Sequence, residues 1–130
     1  MANEVKLFED DYIVAKELFK FFKETNGGET ITYGDLSTRA KNNGAHCEAI
    51  NIHFNLDRIN KWCRAYFNDC PMISAIVINA NKKCPGSGFL KLRKKLKPNM
   101  NNNSDWEAFL EEWKAVKEYK KWDDVINAMF

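Results

Sequence analysis

Apolar residues recur three and four positions apart in several stretches of the chain, a spacing typical of amphipathic helices. The first stretch, residues 12–24, predicts a core-facing helix that stops at the glycine pair 27–28. Residues 55–68 carry a second stripe, and the pattern after Ser104 predicts another helix. A short last helix is expected from about Lys121.

The stretch after the glycine pair combines a short extended piece with a predicted helix start. Residues 29–31 are β-prone, and Thr32 is a candidate N-cap because Asp35 stands three positions later, as in a capping box. The helix is expected to run to about Ala40, which places Tyr33 in its first turn. A tyrosine at this position can present its hydroxyl to a ligand or simply pack its ring.

A strand is predicted where β-branched and small apolar residues accumulate. Residues 72–79, MISAIVIN, fit a buried strand, and the turn-rich stretch 79–88 leads to a returning strand at 89–92. Within that stretch Pro-Gly-Ser-Gly at 85–88 lacks the lysine of a phosphate loop and is interpreted as a tight turn that does not open a helix. Residues 72–92 are thus predicted to form a β-hairpin with a long basic tip.

The predicted order of helix, short strand, two helices, strand, wing-like loop and strand is that of a winged helix, a helix-turn-helix variant. We therefore predict an α+β fold, a winged-helix-like domain with a small β-hairpin and additional N- and C-terminal helices. A single domain is expected over residues 1–130, with a core at about 11–92 and a C-terminal helical extension at about 104–129. Residues 56–67 are the candidate recognition helix.

Composition limits the classes of protein to consider. Apolar residues make up 45% and charged residues 29% of the chain, as in globular domains. No run approaches the length of about 18 apolar residues that a membrane span needs, and residues 1–11 are too acidic for a signal peptide. The expectation is a cytoplasmic protein without a membrane partner.

Cysteines and histidines are too sparse and too irregular to indicate a metal or redox site. The cysteines lack any C-x-x-C pair, so free thiols are expected. If helical, His46 and His53 share a face with Ile50, and a core or surface role is preferred to catalysis. Metal binding by these histidines with Cys47 and Cys63 would need an unusual spacing. No metal, cofactor or catalytic residue is predicted, and the chain is not expected to be an enzyme.

Charge is strongly segregated along the chain, although the formal net charge is only +2. Residues 36–97 carry a net charge of +9, whereas residues 1–35 carry −4 and residues 98–130 carry −3. A basic middle between acidic flanks indicates an anionic partner, with a solvated run of charges as the alternative interpretation. The predicted winged helix favours nucleic acid as that partner.

Candidate DNA-binding residues follow from placing the basic side chains on this predicted fold. Those of the recognition helix would face the nucleic acid, those at the hairpin tip would lie near backbone phosphates, and the run 91–97 would track phosphates. That run could instead be a solvated strand end with a linker. The predicted set is Tyr33, Arg58, Lys61, Arg64, Lys82, Lys83, Lys91, Arg93, Lys94 and Lys95.

Residues 27–37, GGETITYGDLS, resemble the start of the DNA-binding half of alkylguanine-DNA alkyltransferases and alkyltransferase-like proteins, and Asn-Asp-Cys-Pro at 68–71 continues the resemblance. It implies that Tyr33 touches the DNA backbone beside a flipped nucleotide. Where the family has its Pro-Cys-His-Arg alkyl acceptor, this chain reads Ala-Ile-Val-Ile at 75–78, so no alkyl transfer is implied. The family's arginine finger falls on Ile59, which removes the support for base flipping.

A closer resemblance, over residues 30–127, is to a bacterial domain found alone or at the N-terminus of nuclease-like, restriction-type proteins. It rests on residues 71–79, on Pro-Gly-Ser-Gly-Phe at 85–89 and on Tyr-Lys-Lys-Trp-Asp-Asp-Val at 119–125. This resemblance implies a DNA-recognition module in a bacterial defence or mobile-element context, with a nuclease or another defence protein as a further partner.

The sequence therefore predicts a non-enzymatic module that binds duplex DNA. The alternative is a protein-interaction or inhibitor module of phage or mobile-element origin that acts on a nucleic-acid-handling protein. A steep salt dependence of DNA affinity would favour the first prediction, and a stoichiometric protein complex without DNA affinity would favour the second.

Overall fold

The structure, a computed structural model, describes residues 5–97 and 104–130, and most of them are helical. None of the helices in these two ranges is both long and apolar enough to cross a membrane. The elements in chain order are α1 (Glu9–Thr25), β1 (Ile31–Thr32), α2 (Tyr33–Asn42), α3 (Ile52–Tyr66), a 3-10 helix (Ile73–Ile76), β2 (Val77–Ile78), α4 (Ser87–Leu96), α5 (Asp105–Glu118) and α6 (Trp122–Met129).

The helix ends confirm the predicted capping signals. The Thr32 side chain accepts a hydrogen bond of 3.1 Å from the backbone N–H of Asp35 at the start of α2. Ser104 accepts one of the same length from the N–H of Glu107 at the start of α5. At the end of α1 the chain turns through Gly27, whose φ of 74° is in the left-handed region that glycine adopts without strain.

The predicted winged-helix α+β fold is wrong, because the β-hairpin at residues 72–92 does not form. β2 pairs with β1, and the pairing is parallel, so the two strands cannot belong to a hairpin. Most of the predicted first strand is a 3-10 helix or irregular, and the supposed returning strand at 89–92 lies inside α4. The molecule is a helical domain around a two-stranded parallel ladder.

The spacing of inward side chains explains why residues 87–96 form a helix. Phe89 is buried three positions before Leu92 and four before Arg93, which are buried as well, while Lys91, Lys94 and Lys95 are exposed. The letters FLKL fit a strand or a helical turn, and so short a segment cannot be assigned by its period alone. Pro-Gly-Ser-Gly at 85–88, interpreted as a tight turn, in fact opens this helix with Gly86 as its N-cap.

Helices α1 to α6 share one core. Its largest completely buried side chains include Leu18 of α1, Leu36 of α2 and Ile59 of α3. Val116 of α5 and Val125 of α6 are also completely buried and belong to the same cluster. The C-terminal helices are therefore packed into the core together with the residues at 11–92.

Candidate functional site

A cavity of about 500 Å³ opens at the carboxyl ends of the two parallel strands. Thr32 lies opposite Ile78 in the ladder, and the next residues, Tyr33 and Asn79, both line the cavity. Parallel sheets commonly bind ligands at this edge, and the volume falls within the range of about 300–1,000 Å³ of ligand pockets. The other lining residues include Ile50, His53, Gly86, Ser87, Phe89 and Lys91.

Three helices begin at this cavity. Tyr33 is the first residue of α2, His53 the second of α3 and Ser87 the first of α4. A helix start has unpaired N–H groups and the positive end of the helix dipole, which favour anions. The first turns of α3 and α4 contain no acidic residue, whereas that of α2 contains Asp35. The starts of α3 and α4 favour an anionic group at the cavity, whereas Asp57, whose charge contributes to the raised pKa of Tyr33, acts against one.

Tyr33 connects the start of α2 to the start of α4. Its hydroxyl accepts a hydrogen bond of 2.9 Å from the backbone N–H of Gly86. Burial raises the pKa of the Tyr33 hydroxyl, and the hydrogen bond from Gly86 offsets only part of this effect. The hydroxyl is therefore protonated at neutral pH and can still donate a hydrogen bond. Its predicted contact with a DNA backbone stays a prediction.

Lys82 and Lys83 lie on a closed loop rather than at the tip of a hairpin. The side-chain oxygen of Asn79 accepts from the N–H groups of Asn81 and Lys82, at 2.9 and 3.1 Å. The Asn79 carbonyl accepts from the N–H of Lys83 at 2.8 Å, and Lys83 is left-handed with φ of 62°. Both lysines are exposed. Their predicted position on a wing is thus corrected, while phosphate binding stays a prediction.

A second cavity, of about 430 Å³, lies in the groove between α3 and α4. Three of the predicted basic residues, Lys61, Arg64 and Lys95, line it together with Leu92 and Leu96. The Arg64 guanidinium also donates a hydrogen bond of 3.1 Å to a backbone carbonyl, that of Cys70. The fold therefore brings basic side chains from two helices to one groove, although Arg64 is partly engaged within the protein.

The exposed lysines of α4 stand on one side of the helix. Lys91, Lys94 and Lys95 are three and four positions apart, so they share a face. One acidic group lies near them: burial raises the pKa of Asp57, and the neighbouring cations, Lys61 first and Lys95 among the others, act in the opposite direction. The face that these lysines form is therefore basic, but one acidic side chain, Asp57, lies near it.

Arg58 is bound to a carboxylate of the protein itself. Its guanidinium donates to both oxygens of Asp11, at 2.7 and 2.9 Å, and Asp11 is completely buried. Asp11 also accepts from the Asn55 side chain and from the backbone N–H of Phe8, each at 2.8 Å. The hydrogen bond with Asp11 raises the pKa of Arg58 above its usual value. Arg58 thus links α3 to α1, and we leave it out of the candidate interface.

Arg93 is almost completely buried and belongs to a second internal cluster. It donates to Glu112 at 2.8 Å and to Glu111 at 2.6 Å. The ammonium of Lys97 lies 2.6 and 2.7 Å from the two oxygens of Glu112, which also accepts from the N–H of Met72 at 2.8 Å. This cluster joins α4, α5 and the segment before the 3-10 helix, so Arg93 is also left out of the interface.

The two histidines have different surroundings. The Nδ1 atom of His53 lies 3.1 Å from the carbonyl oxygen of Ile50, and His46 is exposed. Within residues 5–97 and 104–130, no three His, Cys, Asp or Glu side chains are grouped so as to hold a metal ion. All the cysteines are free thiols, which confirms that prediction, and only Cys84 is not buried.

Of the residues predicted from the sequence to bind DNA, Tyr33 and Lys91 line this cavity. Asn79 and Gly86 line the cavity because β2 lies parallel to β1. In the predicted hairpin they would not lie beside Tyr33. The available signal was Gly86 followed by Ser87 and Gly88, which is also compatible with a helix start that binds an anion.

Comparison with known proteins leaves the chain without an assigned family. No protein-family model matches it, and neither the curated proteins nor the solved structures contain a significant match. The basic groove and the cavity at the strand ends are therefore the basis on which a function can be argued.

Proposed function

We propose that the chain is a non-enzymatic nucleic-acid-binding module that binds duplex DNA through α3 and α4. The observation that carries the proposal is a set of exposed lysines on these two adjacent helices. We call this set the α3–α4 face; it consists of Lys61, Lys91, Lys94 and Lys95. None of these four lysines takes part in a salt bridge within the described part of the chain.

The contrast with the engaged cations supports this assignment. Arg58, Arg93 and Lys97 each bind a buried carboxylate, so their charges are neutralised inside the protein. The lysines of the α3–α4 face have no such partner among the described residues, and their binding to phosphates would release counterions from DNA. The acid-free starts of α3 and α4 add a positive field at one end of the face.

The resemblance at residues 27–37 supports DNA as the anion. It assigns Tyr33 to the DNA backbone, and the hydroxyl of Tyr33 is at the cavity where α4 begins. Residues 75–78, which stand in the place of the family's alkyl acceptor, are buried apolar side chains, so the proposal includes no alkyl transfer. The second resemblance supports a bacterial defence or mobile-element context.

Fluorescence anisotropy of labelled duplex DNA, titrated at several salt concentrations, tests the proposal. The wild type should bind more weakly as salt rises. A variant with the four lysines of the α3–α4 face changed to Gln should show a shallower salt slope, by about 0.9 for each DNA phosphate that it no longer neutralises. Arg93 is kept unchanged, because its replacement would disturb the buried cluster around Glu112.

The control removes the same charge elsewhere. Lys16 and Lys20 of α1, Lys114 of α5 and Lys120 are exposed, and changing all four to Gln gives the same net charge as the first variant. This control should bind nearly as well as the wild type. No duplex binding at low salt, or an equal loss of affinity in both variants, would contradict binding through the α3–α4 face.

One observation favours the alternative, a protein-interaction or inhibitor module. The rings of Tyr12 and Phe130 contact edge to face with centroids 6.2 Å apart, and both remain exposed. Phe8, one turn before Tyr12, is exposed as well. Clustered exposed aromatic side chains often mark protein interfaces. A stoichiometric protein complex that is lost on Tyr12→Asp, in a protein without DNA affinity, would support this alternative.

A further inference from the structure

An exposed aromatic side chain at the start of α3 plays no part in the core. Phe54 is 54% exposed, and Ile50, four positions before it, is 80% exposed. The ring of Phe54 packs on the ring of His53, with centroids 4.0 Å apart and an interplanar angle of 37°. The two rings form a small aromatic surface, much of it open to solvent.

This aromatic surface is continuous with the cavity. His53 and Ile50 line the cavity, and so does Lys91 of the α3–α4 face. Phe54 therefore stands next to a wall of the cavity that the exposed Lys91 also lines. The first turn of α3, to which both rings belong, contains no acidic residue.

We propose that Phe54, backed by His53, is a stacking platform for an unpaired nucleobase. The protein should accordingly prefer DNA that carries single-stranded nucleotides beside a duplex over a blunt duplex. This inference rests on the proposed function, since the lysines of the α3–α4 face would hold the phosphates of the same DNA. Proteins that bind single strands combine a basic groove with aromatic rings in this way.

Charge decides between a nucleobase and an apolar protein segment as the occupant. A single exposed aromatic residue is common on protein surfaces and indicates nothing alone. Here the ring of Phe54 packs on His53, which lines the same cavity as Lys91, and the starts of α3 and α4 at this cavity favour an anion. A nucleotide provides both a planar ring for Phe54 and a phosphate for these groups, whereas an apolar segment would provide only the first.

The test compares two labelled DNAs, a blunt duplex and the same duplex with a single-stranded overhang of about 6 nucleotides, within the span that one small domain covers. The wild type is expected to bind the overhang DNA at least about fivefold more tightly. Phe54→Ala should lose that preference while retaining its affinity for the blunt duplex. Phe54→Trp, which keeps an aromatic ring, should retain the preference.

Trp106→Ala is the control, because Trp106 is 51% exposed on α5, outside the aromatic surface. The Trp106→Ala variant should keep the preference for the overhang DNA. Thermal unfolding of each variant verifies that the variant is folded. Equal wild-type affinity for both DNAs, or a preference that survives Phe54→Ala, would overturn the platform while leaving salt-dependent duplex binding intact. Absence of binding to both DNAs would instead reject both the proposed function and the stacking platform.

Discussion

At Glu112 three donor groups converge on a carboxylate that is completely shielded from solvent. The backbone N–H of Met72 and the side chains of Arg93 and Lys97 all donate to it. Burial alone would raise the pKa of Glu112, but the interactions with Lys97, Met72 and Arg93 outweigh that effect, and the pKa is lowered. The ionised form is therefore the one that stabilises the fold.

Glu112→Gln is expected to lower the free energy of unfolding at neutral pH by about 3–5 kcal/mol, because Lys97 then lacks this counter-ion and the buried Arg93 keeps only the half-exposed Glu111. The folded-state pKa of Glu112 lies below its unfolded value of about 4.3. The stabilisation that the ionised Glu112 gives the wild type is therefore fully present at a pH above the unfolded-state pKa. It is lost as the pH falls through the folded-state pKa. Urea unfolding from about pH 7 to about pH 3 should show a steeper decline in the wild type than in the variant.

Glu111→Gln is the control for this experiment. Glu111 also binds Arg93, but its side chain is about half exposed, so its loss should cost at most about 1 kcal/mol. An equal loss of stability in the two variants would mean that burial of the Glu112 charge is not the cause.

Arg58→Met separates an internal role from a DNA-binding role. The substitution leaves the buried carboxylate of Asp11 without its cation, and we expect the free energy of unfolding to fall by about 3 kcal/mol. The duplex affinity of the folded variant should be unchanged. Lys61→Met, three positions later on the same helix, should show the reverse: weaker DNA binding with little change in stability. Weaker DNA binding by Arg58→Met would return this residue to the interface.

The sequence pattern predicted one role for nine basic residues of the middle region, and the structure divides them. Arg93 and Lys94 are adjacent, yet one is buried on Glu112 and the other is exposed. The helical period of Phe89, Leu92 and Arg93 contains this information, but it applies only once the segment is known to be a helix. The partner of Arg58, which lies 47 positions away, leaves no local pattern at all.

Among the elements, the turn between α1 and β1 depends most directly on a glycine. Gly27 is left-handed, and a Cβ atom there would lie 2.8 Å from the ring of Phe22. Gly27→Ala is therefore expected to lower the free energy of unfolding by about 1–3 kcal/mol. Gly88→Ala in the first turn of α4 meets no atom within 4 Å and should instead raise stability, by up to about 1 kcal/mol. Urea unfolding of both variants checks these opposite signs.

Long periodic helices and their caps were predictable at this scale, and the extent and pairing of the short strands were not. Thr32 with Asp35 and Ser104 with Glu107 are local arrangements, so the sequence carries them. β1 and β2 are two residues long each and pair across two intervening helices. Neither their length nor their partner follows from a local pattern, and the hairpin prediction failed for that reason.

For the whole molecule, the single core predicts that residues 98–130 are required for folding. Without them the core loses Val116, Trp122 and Val125, and Met72 loses the carboxylate of Glu112. A chain that ends at Lys97 should therefore show no cooperative urea transition by circular dichroism. Removal of only Phe130, which is half exposed, should leave the transition in place. A cooperative transition in the shorter chain would mean that residues 1–97 form an independent unit.

The segregation of charge was visible in the sequence, and its three-dimensional form was not. The basic side chains of the middle region lie on α2, α3 and α4, in the loop around Lys82 and at Lys97. The cavity depends on the parallel register, which sets Tyr33 and Asn79 side by side. The identities of these two residues do not predict that register.

The ladder that sets this register has only two residue pairs, and its small size has a kinetic consequence. Breaking the pairs of Ile31 with Val77 and of Thr32 with Ile78 would separate Tyr33 from Asn79. The cavity would then lose its shape while the helices stay folded. Amide hydrogen exchange in β1 and β2 should therefore proceed through local opening, faster than in the core of α3. A ligand held in the cavity would slow that exchange at residues that it never touches.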